Sequence, residues 1–442
     1  MVKRETLVLG AGVTGLGVGW ASQALVVEAN EEPGGICASY YLQPDGVAGA
    51  GGRGYRFERG GGHWIFGGDR VVLDFLQRLS PCKRYVRNAA VYLPELELFV
   101  PYPLQNHLAA LPATIASRAL EEVVLPRAQH TPPRTMEEWL LLQFGPTLCE
   151  LFFFPFHELY TAGLFRRIAP QDPYKSPASL RATIRGALGF GESAGYNTTF
   201  LYPEAGLDHL VGQLAAPCRL RPGCPAVGIA ARERELHLAD GTVLPYAFLV
   251  STLPLSETLR LAGLSPVSPQ DPATGVVVVN VGGRKGANLP PYHWVYFPKS
   301  TAGFHRVGVY SNVEPGFLPA SRKQEGVAFY VEHAFLAGET SSPGRVQQMV
   351  QATLAELSAM GWLGEAEVVD ATVIPVAYTW SWPGSRWREE AQELLRQHGI
   401  LPAGRFGRWH FQGIAESLAE GLLLGATLSG EGTHRGRSAH RR

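Results

Sequence analysis

The feature that most constrains the fold lies at the start of the chain, where a short apolar strand runs into a glycine-rich turn. Gly10, Gly12 and Gly15 form a Gly-x-Gly-x-x-Gly pattern, and a second apolar strand at 25–27 ends at Glu28. In a βαβ unit the first glycine permits the tight turn, the second lets backbone approach a pyrophosphate, and the third lets helix and strand pack closely. The order of these parts predicts a Rossmann-type dinucleotide-binding unit.

The groups expected to contact the dinucleotide follow from the same unit. The backbone N–H groups of Val13 and Thr14 lie at the start of the predicted helix and face a phosphate charge. Glu28 is placed to accept hydrogen bonds from a pair of ribose hydroxyls. A second glycine turn at Gly34 and Gly35 is typical of sites for FAD rather than NAD. The alternative is a glycine-rich loop in another kind of α/β unit, which the two flanking strands and the acidic residue at this offset make the weaker interpretation.

Length and charge restrict the class of protein further. A chain of 442 residues is too long for one compact core, which predicts two or three subdomains. The 39 basic and 39 acidic residues give a formal net charge of zero. We therefore expect no nucleic-acid partner, whereas a homo-oligomer stays open.

Cysteine use and hydropathy indicate a cytoplasmic protein. The five cysteines include no Cys-x-x-Cys pair, which argues against a disulfide framework and against a metal site. The chain enters a strand directly, so we expect no secretory signal. From the lengths of its apolar runs we expect no segment of the chain to span a membrane.

Changes in hydrophobic periodicity predict how the chain is organised. Helical periodicity holds over about 71–190, and strand-like runs occur at 224–254 and 272–332. These patterns predict an α/β fold in which a Rossmann-type FAD-binding domain carries an inserted helical domain and a β-sheet substrate domain. The expected segments are the first part of the FAD-binding domain at 1–70, the helical domain at 71–190, the second part of the FAD-binding domain at 191–265, the substrate-side sheet at 266–380, the closing segment of the FAD-binding domain at 381–430 and a flexible basic tail at 431–442.

Three segments outside the fingerprint are candidates for walls of a ligand site. In FAD folds a hairpin such as the one predicted at 224–254 rejoins the first domain, which places Val227 behind the adenine. A late glycine turn that includes Gly413 closes over the pyrophosphate and the isoalloxazine. The short apolar run 151–156 is either buried core, the simpler interpretation, or one wall of a ligand cleft.

Several further segments together carry a family resemblance. They are residues 61–66 (Gly-Gly-His-Trp-Ile-Phe), 100–106, 196–203, 294–298, 304–312 and 404–409 (Gly-Arg-Phe-Gly-Arg-Trp). In this order, and over most of the chain, they resemble the eukaryotic-type branch of the UDP-galactopyranose mutases. That family lies within the superfamily of FAD amine oxidases and protoporphyrinogen oxidases.

The resemblance implies an isomerase that uses a flavin without net redox change. Such mutases interconvert the pyranose and furanose forms of a nucleotide sugar, with UDP-galactose as the default substrate, and supply galactofuranose for cell-wall polysaccharides. The FAD is active in its reduced form, and its N5 attacks the anomeric carbon and displaces the nucleotide diphosphate. A reductant such as NAD(P)H or a flavin reductase is therefore an implied partner.

The resemblance assigns three side chains to the chemistry. Arg306 would lie between flavin and diphosphate, where a planar guanidinium can hold phosphate oxygens. His63 would contact the flavin and shift with its redox state, with Gly61 and Gly62 as the hinge. Arg405 would lie in the closing turn beside the flavin. The simpler alternatives are a surface arginine on a strand that is paired with a carboxylate, a packed or surface histidine, and a solvated loop arginine.

A further set of residues would line the sugar-nucleotide cleft. Aromatic faces can stack on uracil or cover the sugar, and amides can bond hydroxyls or base edges. The residues that the resemblance assigns to this cleft are Phe66, Tyr102, Gln105, Asn197, Tyr296 and Tyr378, with Lys175 on the diphosphate side.

The chain departs from the family pattern mainly on the diphosphate side. Lys175 stands where the family has a second diphosphate arginine, a role for which Arg181 is the alternative. Phe411 and Ala415 stand where the family has a tyrosine and an asparagine, and Tyr160 is the candidate to replace a tryptophan. Three hypotheses remain: a mutase for UDP-galactose or another nucleotide sugar, an FAD-dependent oxidoreductase of the amine-oxidase or protoporphyrinogen-oxidase type, and a flavoprotein without catalysis of its own.

Overall fold

The structure, a computed structural model, describes residues 5–44, 54–125, 131–171, 177–195, 197–339 and 342–438. Its strands are β1 (Glu5–Leu9), β2 (Leu25–Val27), β3 (Ser39–Leu42), β4 (Tyr55–Glu58), β5 (Ile65–Phe66), β6 (Cys82–Val86), β7 (Ala89–Leu93), β8 (Leu98–Pro101), β9 (Thr199–Pro203), β10 (Arg219–Arg221), β11 (Ala226–Ala230), β12 (Glu235–Leu238), β13 (Val243–Ser251), β14 (Ala273–Lys285), β15 (Trp294–Tyr296), β16 (Arg306–Val309), β17 (Gly326–Leu336), β18 (Leu363–Thr379) and β19 (Ile400–Pro402). Its α-helices are α1 (Val13–Ser22), α2 (Arg70–Leu79), α3 (Ala113–Val124), α4 (Met136–Leu148), α5 (Phe154–Tyr160), α6 (Leu180–Ala187), α7 (Leu207–Ala215), α8 (Leu255–Ala262), α9 (Tyr310–Val313), α10 (Pro343–Ala359), α11 (Trp387–Gln397), α12 (Gly404–Gly407) and α13 (Ile414–Ser438).

One seven-stranded sheet contains the predicted dinucleotide unit. Its strands follow the order β10–β2–β1–β13–β12–β11, and β19 also pairs with β13. β1 pairs in parallel with both β2 and β13, so the carboxyl ends of these strands meet at one edge. In open parallel sheets this edge is where ligands bind. The predicted Rossmann-type α/β fold is confirmed.

The turn after β1 depends on two glycines. Gly10 has a φ of +98°, a backbone conformation that other residues rarely adopt. A Cβ on Gly15 would lie 1.9 Å from the carbonyl oxygen of Gly10, so α1 packs this closely only with glycine there. Val8, Leu16 and Val26 are fully buried where β1, α1 and β2 meet. The predicted strand, turn and helix therefore form as the glycine spacing requires.

A second seven-stranded sheet faces the dinucleotide unit across the interior. Its strands follow the order β18–β14–β17–β16–β15–β7–β8, and β14 pairs antiparallel with both β17 and β18. The valine run 276–279 at the centre of β14 is buried on both faces. A strand covered on both faces carries a continuous apolar run instead of an alternating one.

The prediction of helix over 71–190 is wrong for residues 82–101, which form β6, β7 and β8. β7 pairs in parallel with β15, and β6 pairs with β9, so both strands are completed by segments more than a hundred residues away. The rings of Tyr92 and Phe99 pack across β7 and β8 with their centroids 4.7 Å apart. Such cross-strand aromatic pairs stabilise sheets, and the local periodicity does not reveal them.

Residues 136–160 form one helical run, made of α4, a π-helical turn at Cys149–Phe153 and α5. By length and composition alone this run could cross a membrane, which differs from the expectation drawn from the sequence. It joins a buried apolar cluster in the structure, as a core helix does. The members of that cluster on this run include Leu140, Phe144, Leu148, Phe152 and Phe153.

The C-terminal helix α13 covers the outer face of α1. A Cβ on Gly17 would lie 3.2 Å from the Cα of Gly421, so small residues permit this close approach. α13 extends to Ser438 and so includes residues 431–438 of the predicted tail, whose flexibility stays a prediction. Residues 439–442 lie outside the described part of the chain. The domain boundaries themselves stay a prediction.

A carboxyl group is buried beside the glycine loop that follows β4. Glu58 is fully buried and accepts hydrogen bonds from the hydroxyl of Ser39, at 2.8 Å, and from that of Tyr202. Burial raises the pKa of Glu58 from 4.5 to about 8. Between these two values the folded protein holds a proton that the unfolded chain has released. The free energy of unfolding therefore falls as pH rises through this window, by up to about 1.4 kcal/mol per pH unit.

We expect Glu58→Gln to remove this slope, because the amide is nearly isosteric and does not titrate. The variant should resemble the wild type at pH 5 and be the more stable protein at pH 8.5. Urea unfolding of both proteins at pH 5, 7 and 8.5 measures the difference, in which contributions from all other groups cancel. If the free energies of unfolding of the wild type and of Glu58→Gln changed in parallel with pH, the folded protein could not hold a proton at Glu58.

Candidate active site

A cavity of about 630 Å³ opens at the carboxyl edge of β1 and β2. Its walls come from the glycine turn, from the second sheet and from the helical run 136–160. The volume lies in the range usual for ligand sites. The predicted site residues that line it are Gly10, Gly12, Val13, Thr14, Glu28, Gly34, Gly35, Gly62, His63, Phe66, Tyr102, Asn197, Tyr296, Arg306, Tyr378, Arg405 and Gly413.

Other predicted residues are not among the described residues that line this cavity, namely Gly15, Gly61, Gln105 and Val227. Gln105 is buried, and its amide donates a hydrogen bond to the carbonyl of Pro177 at 2.9 Å. Val227 lies on β11 with 59% of its surface exposed. The positions of Gln105 and Val227 therefore do not support their predicted ligand contacts. Gly15 contributes to the turn by allowing α1 to pack against the carbonyl of Gly10. Lys175 lies outside the described residues.

Glu28 is held rigidly beside the phosphate turn. Its Oε2 accepts the N–H of Ala11 at 2.6 Å, and its Oε1 accepts the backbone N–H of Asn30 at 3.0 Å. A Cβ built on Gly12 would meet no atom within 4 Å, so the space beside the start of α1 is open. An open glycine cradle at a helix N-terminus next to a fixed carboxylate fits the pyrophosphate and ribose of a dinucleotide.

His63 is a neutral imidazole in the cavity wall. Its Nδ1 lies 2.9 Å from the carbonyl oxygen of Gly60, which can only accept, so Nδ1 carries the proton and Nε2 has the lone pair. Burial, together with the positive charge of Arg405, lowers the pKa of His63 to about 4. A Cβ on Gly62 would lie 2.2 Å from the hydroxyl oxygen of Tyr330. Close packing thus requires glycine here, and the hinge role stays a prediction.

Arg306 belongs to a buried ion-paired cluster. Its Nε donates to Oε2 of Glu332 at 2.9 Å, and its Nη2 donates to Oε1, because β16 and β17 pair with these residues opposite each other. Nε2 of His305 lies 3.3 Å from the same Oε2. Burial opposes ionisation of Glu332, but the charge of Arg306 outweighs it and lowers the pKa to about 2. Arg306 is therefore paired with a carboxylate, as the simpler interpretation expects, but it lines the cavity and is not a surface arginine.

Arg405 provides a second guanidinium in the same cavity. Its Nη2 donates to the carbonyl of Ala377 at 2.8 Å, and its guanidinium carbon lies 4.7 Å from the ring centroid of Phe411 and 5.3 Å from that of Tyr378. In the described part of the chain Arg405 makes no ion pair. Its positive charge is consequently not cancelled by a carboxylate contact, in contrast to that of Arg306.

Aromatic rings form another part of the cavity wall. The ring centroids of Tyr102 and Tyr296 lie 4.7 Å apart, and those of Tyr160 and Tyr378 lie 4.8 Å apart. Phe156 packs edge-on against Tyr296 at 5.5 Å. The run 151–156 is therefore both core and cleft wall, so the two interpretations of the sequence hold together.

Sequence reasoning missed Glu332, His305 and Arg87. Arg87 donates to the carbonyl of Tyr102 at 3.1 Å and to the side chain of Asn197, and so holds two cavity residues in place. Glu332 reaches the site through strand pairing with Arg306, and Arg87 contacts cavity residues that are distant in the sequence. No local spacing signals such contacts.

The family of flavin containing amine oxidoreductases matches residues 19–432. The chain belongs to this family. Its fold is similar to that of a reduced UDP-galactopyranose mutase, with a TM-score of 0.82 and 22% identity over 97% of this chain and 96% of that one. It is also similar to a cyclohexylamine oxidase from Brevibacterium oxydans, with a TM-score of 0.60 and 13% identity over 97% and 99% of the chains. A putrescine oxidase bound to putrescine gives a TM-score of 0.58 and 14% identity over 96% and 98%.

As a member of this family the protein is a flavoprotein, and the geometry around Glu28 and Gly12 suits FAD. The residues that would hold the dinucleotide are Gly10, Gly12, Val13, Thr14, Glu28, Gly34 and Gly35. The three similar structures include both an isomerase and oxidases, so the fold alone does not choose between the reactions.

Proposed function

We propose that the protein is a nucleotide-sugar mutase that interconverts pyranose and furanose forms, with UDP-galactose as the default substrate and reduced FAD as cofactor. The observation that carries the proposal is the position of Arg306 and Arg405 in one cavity with His63. Two guanidinium groups suit a diphosphate, and the positive charge of Arg405, which no carboxylate contact among the described residues cancels, would repel a protonated amine. The TM-score of 0.82 to a UDP-galactopyranose mutase supports the same choice.

Reduced FAD would be held by the glycine turn and Glu28, and it would supply the nucleophile for the anomeric carbon. Glu332 fixes Arg306 through two of its five N–H donors, which leaves three to hold oxygens of the departing diphosphate. Because the Arg306–Glu332 pair is close to neutral, Arg405 is the group that contributes net positive charge. His63 stays neutral above its low pKa and offers Nε2 as an acceptor.

The aromatic wall has a separate role in this proposal. Tyr102, Phe156 and Tyr296 cover the sugar and keep water from the reacting carbon, which would otherwise hydrolyse the activated sugar. Phe411 stands where the mutase family has a tyrosine, so one hydrogen bond to the diphosphate is absent, while the Phe411 ring still packs on Arg405. We propose a cytoplasmic reductant, either NAD(P)H or a flavin reductase, to keep the FAD reduced.

Ring-size interconversion tests the proposal directly. The purified FAD-loaded protein is reduced with dithionite, mixed with UDP-galactofuranose or UDP-galactose, and the products are separated by chromatography. We expect conversion only in the reduced state. Turnover restricted to oxidised flavin, with oxygen uptake on an amine, would overturn the mutase.

A second candidate is an FAD-dependent oxidoreductase of the amine-oxidase or protoporphyrinogen-oxidase type. The observation that favours it is the apolar side of the cavity, which suits a substrate without phosphates. Its members are Met136, Trp139, Phe152, Phe153, Phe156, Tyr160 and Trp380. Oxygen consumption with a panel of primary amines measures this activity in the same preparation.

A further inference from the structure

We propose that His305 is a further substrate-contacting residue, whose free ring nitrogen accepts a hydrogen bond from a hydroxyl group of the sugar. This inference rests on the proposed function, because it requires a nucleotide sugar in the cavity. His305 lies directly before β16 and is the chain neighbour of Arg306.

The His305 side chain is buried beside the cavity and has an unsatisfied ring nitrogen. The residue is 1% exposed and lines the cavity, and its Nδ1 has no hydrogen-bond partner among the residues that the structure describes. Buried polar side chains almost always have a partner, in the protein or in ordered solvent. A group that is buried, unpaired and next to a cavity is suited to bind a polar atom of the occupant.

Glu332 decides which nitrogen is free. Nε2 of His305 lies 3.3 Å from Oε2 of Glu332. Because the carboxylate is ionised beside Arg306 and can only accept, the favourable tautomer carries its proton on Nε2. Burial lowers the pKa of His305 and keeps the ring neutral. Nδ1 therefore remains as an acceptor.

An acceptor at this position selects a donor and rejects phosphate. Phosphate oxygens are acceptors, so the Nδ1 lone pair repels them while the neighbouring Arg306 attracts them. A sugar hydroxyl can donate to Nδ1. The rings of Phe156 and Tyr160, with centroids 6.1 Å and 5.3 Å from that of His305, provide apolar faces on which a sugar ring can lie. Of these two adjacent residues, His305 would therefore bind the sugar and Arg306 the diphosphate of the same ligand.

Binding to the FAD-loaded protein tests the inference without turnover. His305→Phe keeps a ring and removes both nitrogens, whereas His305→Asn keeps an acceptor oxygen. We expect UDP-galactose to bind His305→Phe roughly tenfold more weakly, UDP to bind within about twofold of wild type, and His305→Asn to recover part of the loss. Calorimetric titration gives the dissociation constants, and flavin absorbance confirms that each variant is loaded.

A second measurement keeps the test valid if a variant does not fold. Wild-type protein is titrated with UDP-galactose analogues that each lack one sugar hydroxyl, and one of them should bind about tenfold more weakly. Equal binding of all analogues, or equal weakening of UDP and UDP-galactose by His305→Phe, overturns the inference. A wild type that binds neither UDP nor UDP-galactose overturns the proposed function and this inference with it. Binding of a primary amine that is lost in His305→Phe would assign the acceptor to the oxidoreductase and overturn the sugar contact.

Discussion

Arg306→Ala is expected to lower mutase turnover by a factor on the order of 10²–10³ while FAD stays bound. The guanidinium provides fixed donors to the diphosphate as charge develops on it, and alanine leaves these oxygens without those donors. Turnover of UDP-galactofuranose by the reduced protein gives kcat and KM, and the absorbance spectrum gives the flavin content. The main loss should be in kcat, because the bond strengthens as the leaving group departs.

The control for this prediction comes from the ion pair. Removal of Arg306 alone leaves the ionised Glu332 buried without its counter-ion, which costs about 3–5 kcal/mol of stability. Arg306→Ala combined with Glu332→Gln removes both charges, and should regain most of that stability without regaining turnover. Normal turnover in the double variant would mean that Arg306 is only the structural partner of Glu332. Loss of FAD from the double variant would instead assign Arg306 to cofactor binding.

The dinucleotide unit could be predicted because its constraints are local. Gly10 needs a positive φ, Gly15 needs space for the neighbouring carbonyl, and Glu28 ends a strand that pairs with β1. All of these requirements fall within a span of sequence short enough for spacing to record them. The family resemblance added Arg306, Arg405 and His63, whose roles no spacing indicates.

The rest of the site depends on pairing between distant strands. Glu332 lies opposite Arg306 only because β16 and β17 are antiparallel in that register, and a shift by one residue would put its side chain on the other face. Arg87 lies between β6 and β7, in the stretch for which helix was predicted, and there it bonds two cavity residues, Tyr102 and Asn197. A periodicity argument detects which faces of a segment are apolar, and it does not detect which segment pairs with it.

Gly12→Ala and Gly15→Ala should separate cofactor binding from folding, although the two glycines lie in one turn. Gly12 has φ −69° and ψ 175°, which any residue adopts, and its Cβ would enter open space. The apoprotein should therefore be as stable as wild type, or slightly more stable through lower unfolded-state entropy. The added methyl group occupies the place where backbone must approach the pyrophosphate, so we expect FAD to bind about ten- to a hundredfold more weakly.

Gly15→Ala should act in the opposite order, since its Cβ would lie 1.9 Å from the backbone oxygen of Gly10, which cannot rotate away. We expect the apoprotein to lose about 1–3 kcal/mol of unfolding free energy, and weaker FAD binding to follow from the displaced helix. Both measurements need apoprotein, because bound FAD stabilises the folded state by mass action and would hide the distinction. If Gly12→Ala bound FAD as tightly as wild type, the pyrophosphate could not lie against this turn, and the positions inferred for the flavin, Arg306 and the sugar would all have to move with it.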